Sequence, residues 1–252
     1  MKKSSRKKIT ILDIVLWLAI AGVVISAGVL GWKLWGYRQG QKTYQDIEEV
    51  YTVKKEPQQA DEPEETVIDM QKLHEEYPDA IGWLEIDALG ISYPILQGPD
   101  NAYYLYRLPD KTYNASGSLF LDYANEGWND LHTLVYGHNM RDGSMLAGIL
   151  KYMDASFYQE NGGEVLLHTL DGVWKYEMIS IAQVAPDSEI YTLGFGDDEN
   201  YWNFMEQIKA LSAYDTGVEL VKGSPIMTLS TCTKDGKNRI VLSAMRTEKV
   251  EG

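Results

Sequence analysis

The sequence predicts a mainly β fold with interposed helices, its strands closed or nearly closed into a barrel and carried behind one apolar helix that spans a membrane. Three observations point there. Asp171-Gly172 and Asp235-Gly236 each sit between apolar, β-branched runs, the strongest short-range hairpin signal. Several other short runs rich in Ile, Leu, Val and Tyr follow one another with turn residues between them. Near the start, Ile14 to Trp32 runs 19 residues without a charge.

Such a run rises about 28 Å as a helix, enough for the hydrocarbon core of a bilayer. Five positive charges stand in the first eight residues, Met1 to Lys8, and Trp32, Lys33, Trp35 and Tyr37 suit the interface beyond the run. A secretion signal would have a shorter apolar region and a small-residue cleavage site. The reading is therefore a cytoplasmic basic tail over 1–9 and an uncleaved anchor over 10–34, with the rest of the chain outside the cell. Residues 35–66 form a juxtamembrane segment, with helix-compatible Gly36 to Lys55 followed by the acidic, Pro-containing linker Glu56 to Glu65. The main domain occupies 67–252.

Within that domain, Val67, Met70, Leu73 and Tyr77 have helical spacing behind Asp69, and Pro78 ends the pattern. His74, among charged neighbours there, reads as a solvated surface histidine. Ile81 to Asp87 and Ile91 to Leu96 read as strands around a turn at Gly90. Asp100 to Leu105 is short and helical or irregular, after the Gly98-Pro99 break. Ser116 to Tyr123 and Leu131 to Tyr136 are two more strands. Gly143 to Gln159 repeats apolar residues every four positions, as one amphipathic helix does. Gly163 to Leu170 and Val173 to Val184 form the hairpin around Asp171-Gly172, with His168 structural within it. Tyr201, Phe204, Met205, Ile208 and Leu211 mark another helix before the final hairpin.

The formal net charge is −14, and residues 35–252 hold 17 Lys and Arg against 36 Asp and Glu. So acidic a domain has no footprint for nucleic acid. No spaced carboxylate or Cys/His motif marks a metal site, and no cofactor motif is present.

Cys232 is the one cysteine of the chain. Outside a membrane, structural cysteines come in pairs, so a lone thiol there is either incidental or kept for its reactivity. If Asp235 and Gly236 are the central residues of a two-residue turn, Cys232 faces Arg239 with Cβ atoms roughly 5 Å apart. A permanent positive charge beside a thiol favours its anion. The same guanidinium suits the oxyanion formed when sulfur attacks a carbonyl. A thiol nucleophile also needs a proton acceptor. His138, where a strand gives way to the loop Gly137-His-Asn-Met-Arg-Asp-Gly143, is the best placed of the four histidines. His132 lies six residues earlier, near the strand's start.

Thr228-Leu-Ser-Thr-Cys232, Arg239 on the next strand and the upstream Tyr136-Gly-His138 together resemble the sortase family of cysteine transpeptidases. Gly137 to Met145, Asp100-Asn-Ala-Tyr-Tyr-Leu105 and the helix ahead of the last strands resemble its class B branch. The likeness covers roughly residues 67–247. It implies a closed eight-stranded β-barrel and a Cys232, His138, Arg239 active site on the outer face of a Gram-positive cell. It implies that secreted proteins are cut at a C-terminal sorting signal, Asn-Pro-x-Thr-x or similar, after the Thr. The acyl group then passes to an amine of a cell-wall precursor or a pilin. Asn101, Leu105, Tyr136 and Ser230 would line the peptide groove. One departure is visible: the excursion between Cys232 and Arg239 is shorter than class B relatives generally have, which removes loop residues able to touch the substrate.

Other readings fit less well. An L,D-transpeptidase would carry a His and a Gly just ahead of the cysteine, where Ser230 and Thr231 stand. A papain-like protease would place its Cys before its His. A tethered wall-binding module would explain the anchor and the acidity, but not Cys232 against Arg239.

Overall fold

The computed structural model describes residues 10–55 and 65–250, so the basic tail over 1–9 and most of the acidic linker lie outside the described residues. The chain divides into two compact units, the first ending at Gln39 and the second starting at Gly40. Helix α1 runs Ile11–Tyr51. In the first unit its apolar side chains from Ile11 to Trp35 are exposed, and this part is long and apolar enough to cross a membrane.

The second unit takes in Gly40 to Tyr51, residues expected to be juxtamembrane. Tyr44, Ile47 and Tyr51 recur at helical spacing, and all three are buried. Two short strands follow, β1 (Thr52–Lys55) and β2 (Glu65–Ile68), paired antiparallel. Val67 and Ile68 are thus strand residues, and helix α2 is confined to Met70–Glu76. Asp69 starts it by accepting a hydrogen bond from the Lys72 amide. His74 is half-buried, with Nδ1 2.8 Å from the Ala80 carbonyl, so one side of a partly exposed ring is held at the barrel's edge.

The barrel is built from β3 (Ala80–Ile86), β4 (Ile91–Gln97), β5 (Leu119–Leu121), β6 (His132–Tyr136), β7 (Glu164–Thr169), β8 (Gly172–Val184), β9 (Ile226–Cys232) and β10 (Arg239–Val250). These eight strands close in the order β10-β8-β7-β3-β4-β5-β6-β9. Most pairings are antiparallel; β4 with β5 and β6 with β9 are parallel. Pro94 sits in β4 one residue before that strand gains its second neighbour at Ile95, where a missing N–H costs least.

Two expected elements are broken by local chemistry. The strand over 116–123 shrinks to three residues because Gly117 adopts φ +56, outside the extended region. The helix over 143–159 splits into a 3₁₀ stretch, Leu146–Met153, and helix α3, Ala155–Asn161. Asp154 divides them: its backbone is extended and its carboxylate takes the Ser156 amide. Leu146, Ile149 and Tyr152 are still buried.

Helix α4 (Asp198–Ala210) inserts Tyr201, Phe204, Met205 and Ile208 against Ile179, Ile226, Val241 and Met245. Each such side chain contributes about 1.5–3 kcal/mol of burial. At another face of the barrel, Ile47, Tyr51, Met70 and Leu73 pack on Trp83, Leu96, Tyr104 and Phe120. The site described below lies at the ends of β6 and β9, which both clusters help hold.

His132 is buried at the start of β6. Its Nδ1 donates to the Thr192 carbonyl at 2.9 Å and its Nε2 accepts from Thr228, whose hydroxyl meets Ser243 at 2.9 Å. Burial pushes its pKa down to about 4, so the folded chain holds the ring neutral. The unfolded chain binds that proton near pH 6.5, so stability is full above this pH and falls as pH drops towards 4. Urea titrations should lose about 3 kcal/mol between pH 7 and pH 4 through this group, at about 1.4 kcal/mol per pH unit. A His132→Gln variant, less stable at pH 7, should show a shallower acid loss.

Candidate active site

The β9–β10 hairpin delivers two of the expected residues together. Cys232 and Arg239 are direct partners in the register. The turn is not the expected one. Thr233 N donates to Asn238 O at 3.0 Å, Gly236 N donates to Thr233 O at 2.8 Å, and Gly236 has φ +72. The loop therefore holds residues 234–237, with Lys234 and Asp235 at the centre of a turn that only then reaches the left-handed glycine. The facing pair survives because a two-residue and a four-residue loop share one midpoint, between Asp235 and Gly236. With 233 and 238 hydrogen-bonded, 232 and 239 form the adjacent non-bonded pair, whose side chains lie closest. Arg239 Nη1 donates to the carbonyls of Gly236 (3.3 Å) and Asn238 (3.1 Å), which fix one end of the guanidinium. Cys232 and Arg239 are both partly exposed.

The parallel pairing of β6 with β9 brings the imidazole. Tyr136 is opposite Ser230, and Gly137 N continues the ladder to Ser230 O at 3.2 Å. Two residues further, that register sets His138 level with Cys232. Asn139 clamps the junction by donating Nδ2–H to the Cys232 carbonyl at 2.8 Å. Gly137 has no room for a side chain: a Cβ would stand 2.4 Å from Leu119 Cδ2.

His138 Nε2 lies 2.7 Å from the Leu105 carbonyl, and its ring is 5.4 Å from that of Tyr106. A carbonyl only accepts, so the proton sits on Nε2 and Nδ1 is the nitrogen free to exchange one. Burial lowers the pKa of His138 below its ordinary value, and the Leu105 carbonyl partly offsets this. The ring is thus neutral at neutral pH, able to accept a proton and, once charged, to release it readily.

The expected groove residues are tied together by two groups the sequence did not single out. Asp122, buried, accepts on Oδ2 from both Asn101 Nδ2 and the Tyr136 hydroxyl, each at 2.8 Å. Asn101 Oδ1 in turn takes the Tyr123 amide at 3.0 Å. Tyr191 places its hydroxyl 2.9 Å from Ser230 Oγ and stacks on Tyr136 with ring centroids 6.4 Å apart. Burial raises the pKa of Tyr191, while its hydrogen bond with Ser230 and the Arg239 charge work against that rise. Leu105 packs, partly buried, against the cluster that includes Trp83 and Phe120, and it is its carbonyl that meets His138. Asp122 directly follows β5 and Tyr191 sits in a short 3₁₀ turn, so neither carried a periodic signal. Among the described residues no group of three His, Cys, Asp or Glu is placed to hold a metal ion.

A sulfur nucleophile, a fixed cation and a neutral imidazole at one end of a barrel can carry out acyl transfer. Comparison with known proteins agrees. Residues 84–247 match the family model described as Sortase domain. The chain is 31% identical to Sortase B of Listeria monocytogenes over 239 residues, covering 90% of this chain and 93% of that one. It is 29% identical to Sortase B of Staphylococcus aureus over 155 residues, or 61% and 63% of the two chains. A Bacillus anthracis structure described as similar to sortase B superposes with a TM-score of 0.73 at 29% identity, covering 85% of this chain and 98% of that one. A Staphylococcus aureus sortase B–substrate complex does so with a TM-score of 0.68 at 27% identity, covering 73% and 86%.

Gly117 makes the Leu105 carbonyl available to His138. At φ +56 a Cβ there would lie 2.3 Å from Leu105 O. Gly117→Ala should cost about 1–3 kcal/mol of stability from backbone strain alone. It should also displace the carbonyl, so long-range proton–nitrogen NMR of His138 should show the ring losing its fixed Nε2–H tautomer.

Proposed function

The chain belongs to the sortase family of cysteine transpeptidases, on its class B branch, and from that premise we propose that it cuts a C-terminal sorting signal, Asn-Pro-x-Thr-x or similar, after the Thr and transfers the product to an amine. Cys232 is the nucleophile. Its sulfur adds to the Thr carbonyl, giving up its proton to His138, and the resulting oxyanion lies beside the Arg239 guanidinium. Collapse breaks the C–N bond, and His138 returns the proton to the leaving amine. The thioester is then attacked by the incoming amine, which passes a proton through His138 to the departing sulfur. Nδ1 is the atom for these transfers, since Nε2 is taken by Leu105.

The single observation that supports this most is the strand pairing of Cys232 with Arg239. Asn101, Leu105, Tyr136 and Ser230 line the groove for the signal peptide, with Asp122 holding Asn101 and Tyr136 and Tyr191 holding Ser230. The likeness to a sortase B–substrate complex supports a peptide substrate. The partners are secreted proteins bearing such a signal and an amine from a peptidoglycan precursor or a pilin. No cofactor takes part. Residues 10–34 anchor the chain, with the tail over 1–9 in the cytoplasm, 35–66 as the connecting segment and the catalytic domain, 67–252, outside. The short loop between Cys232 and Arg239 leaves signal choice to the groove residues more than to the hairpin tip.

In detergent, the full chain should cleave a quenched Asn-Pro-x-Thr-x peptide and form an acyl adduct visible by intact mass. Cys232→Ala and His138→Ala should each lower the rate by at least about a thousandfold. Arg239→Lys should lose about a hundredfold, because a point charge cannot replace the planar fork. Full activity of Arg239→Ala would remove that residue from the mechanism. Failure of every sorting peptide to acylate the protein would favour a binding module.

A further inference from the structure

The end of α1 inside the barrel unit, Gly40 to Tyr51, touches both chain segments that flank His138. Tyr44 is buried and donates its hydroxyl to the Gly117 carbonyl at 2.6 Å, with Ser118 Oγ 2.8 Å away. Ser118 is bound to the same segment as Leu105: its amide meets Tyr104 O at 3.0 Å and its hydroxyl meets Arg107 O at 2.7 Å. Gly117 itself is pressed against the Leu105 carbonyl, where any Cβ would collide. That carbonyl holds Nε2 of His138.

The ring of Tyr44 makes a second contact. It meets Tyr93 edge-on with centroids 5.2 Å apart, and the Tyr93 hydroxyl accepts from Met145 N at 3.4 Å. Met145 has φ +57 and closes the loop that starts at His138, bridging to Asn139, while Leu146 N donates to His138 O at 3.1 Å. One turn earlier on the helix, Gln41 donates to Asp142 in that loop at 3.1 Å. Gly40 lies close on Asn114 and Ser116, where a Cβ would stand 3.0 Å from Asn114 Oδ1.

We propose that Tyr44 is a positioning residue for the reaction: it holds the Leu105 carbonyl from one side and the His138–Met145 loop from the other, and so fixes the tautomer and direction of the imidazole. Nothing in the chemistry requires a helix ahead of the domain, yet the side-chain hydrogen bonds of Gln41 and Tyr44 converge on the two segments that set one ring. Tyr44 meets neither substrate nor sulfur. Its loss leaves the groove residues Asn101, Tyr136 and Ser230 on their own anchors. The inference rests on His138 being the proton shuttle.

The test is Tyr44→Phe in the full chain, which keeps the ring and removes the hydroxyl. Rates are divided by the concentration of Cys232 that a peptide-based thiol reagent can titrate, so unfolded protein does not count. The expected result is a kcat about tenfold lower, in the range set by small misalignments of a catalytic group. KM for the sorting peptide should stay within about twofold, since substrate contacts are untouched. In NMR the His138 ring should pass from a fixed Nε2–H form to a mixture. An unchanged kcat per titratable thiol with an unchanged tautomer overturns the proposal, however much the variant is destabilised. So does a loss confined to KM. His138→Ala separates the two levels of argument: if it stays active, the shuttle reading fails; if it is inactive while Tyr44→Phe works fully, only the role of Tyr44 fails.

Discussion

Leu229 opposite Leu242 and Thr228 opposite Ser243, all four fully buried, lock β9 to β10 in one register. That pairing decides where the reactive atoms go. Slip it by one residue and every side chain on the strand turns to the other face. Cys232 then loses Arg239, and Thr228 loses Ser243 and, through it, its place beside His132. The chemistry at the rim is thus fixed by packing and hydrogen bonds several residues below it. The parallel neighbour β6 adds the third group by the same device, since its ladder to β9 carries His138 to the height of the thiol.

Burial plays different parts for two histidines at opposite ends of β6. Around His132 it is complete, and every polar atom of the ring is matched by Thr192 or Thr228, so the group is structural and neutral. Around His138 it is partial, with one nitrogen held and the other left to react. Low dielectric disfavours charge in both cases. The difference between a core residue and a proton carrier is the second hydrogen bond.

Much of this was legible in the residues. Asp235-Gly236 located the final hairpin, and the midpoint alone was enough to pair Cys232 with Arg239, although the loop is twice as long as expected. The reason is symmetry: hydrogen bonds of Thr233 to Asn238 and Asp235 stabilise a wider turn about the same centre. The barrel and the helix at 198–210 also follow from periodicity. What periodicity does not encode was missed. Asp154 broke one helix by accepting the Ser156 amide on its carboxylate, and Gly117 shortened a strand to make room for Leu105. Asp122 and Tyr191 gain their significance only from residues far away in the chain. The same is true of Tyr44, whose hydrogen-bond partners lie more than 70 positions downstream.

Because the core and not the bend dictates how β9 meets β10, the tip from Lys234 to Lys237 does not set the pairing of Cys232 with Arg239, and only its Gly236 carbonyl touches the guanidinium. All four of its residues are exposed. Natural drift or deliberate grafting can lengthen it, or decorate it with new recognition groups, while sulfur and guanidinium stay side by side. Selectivity and reactivity are in that respect separable inheritances, and a descendant of this chain can exchange its clientele without relearning how to break an amide.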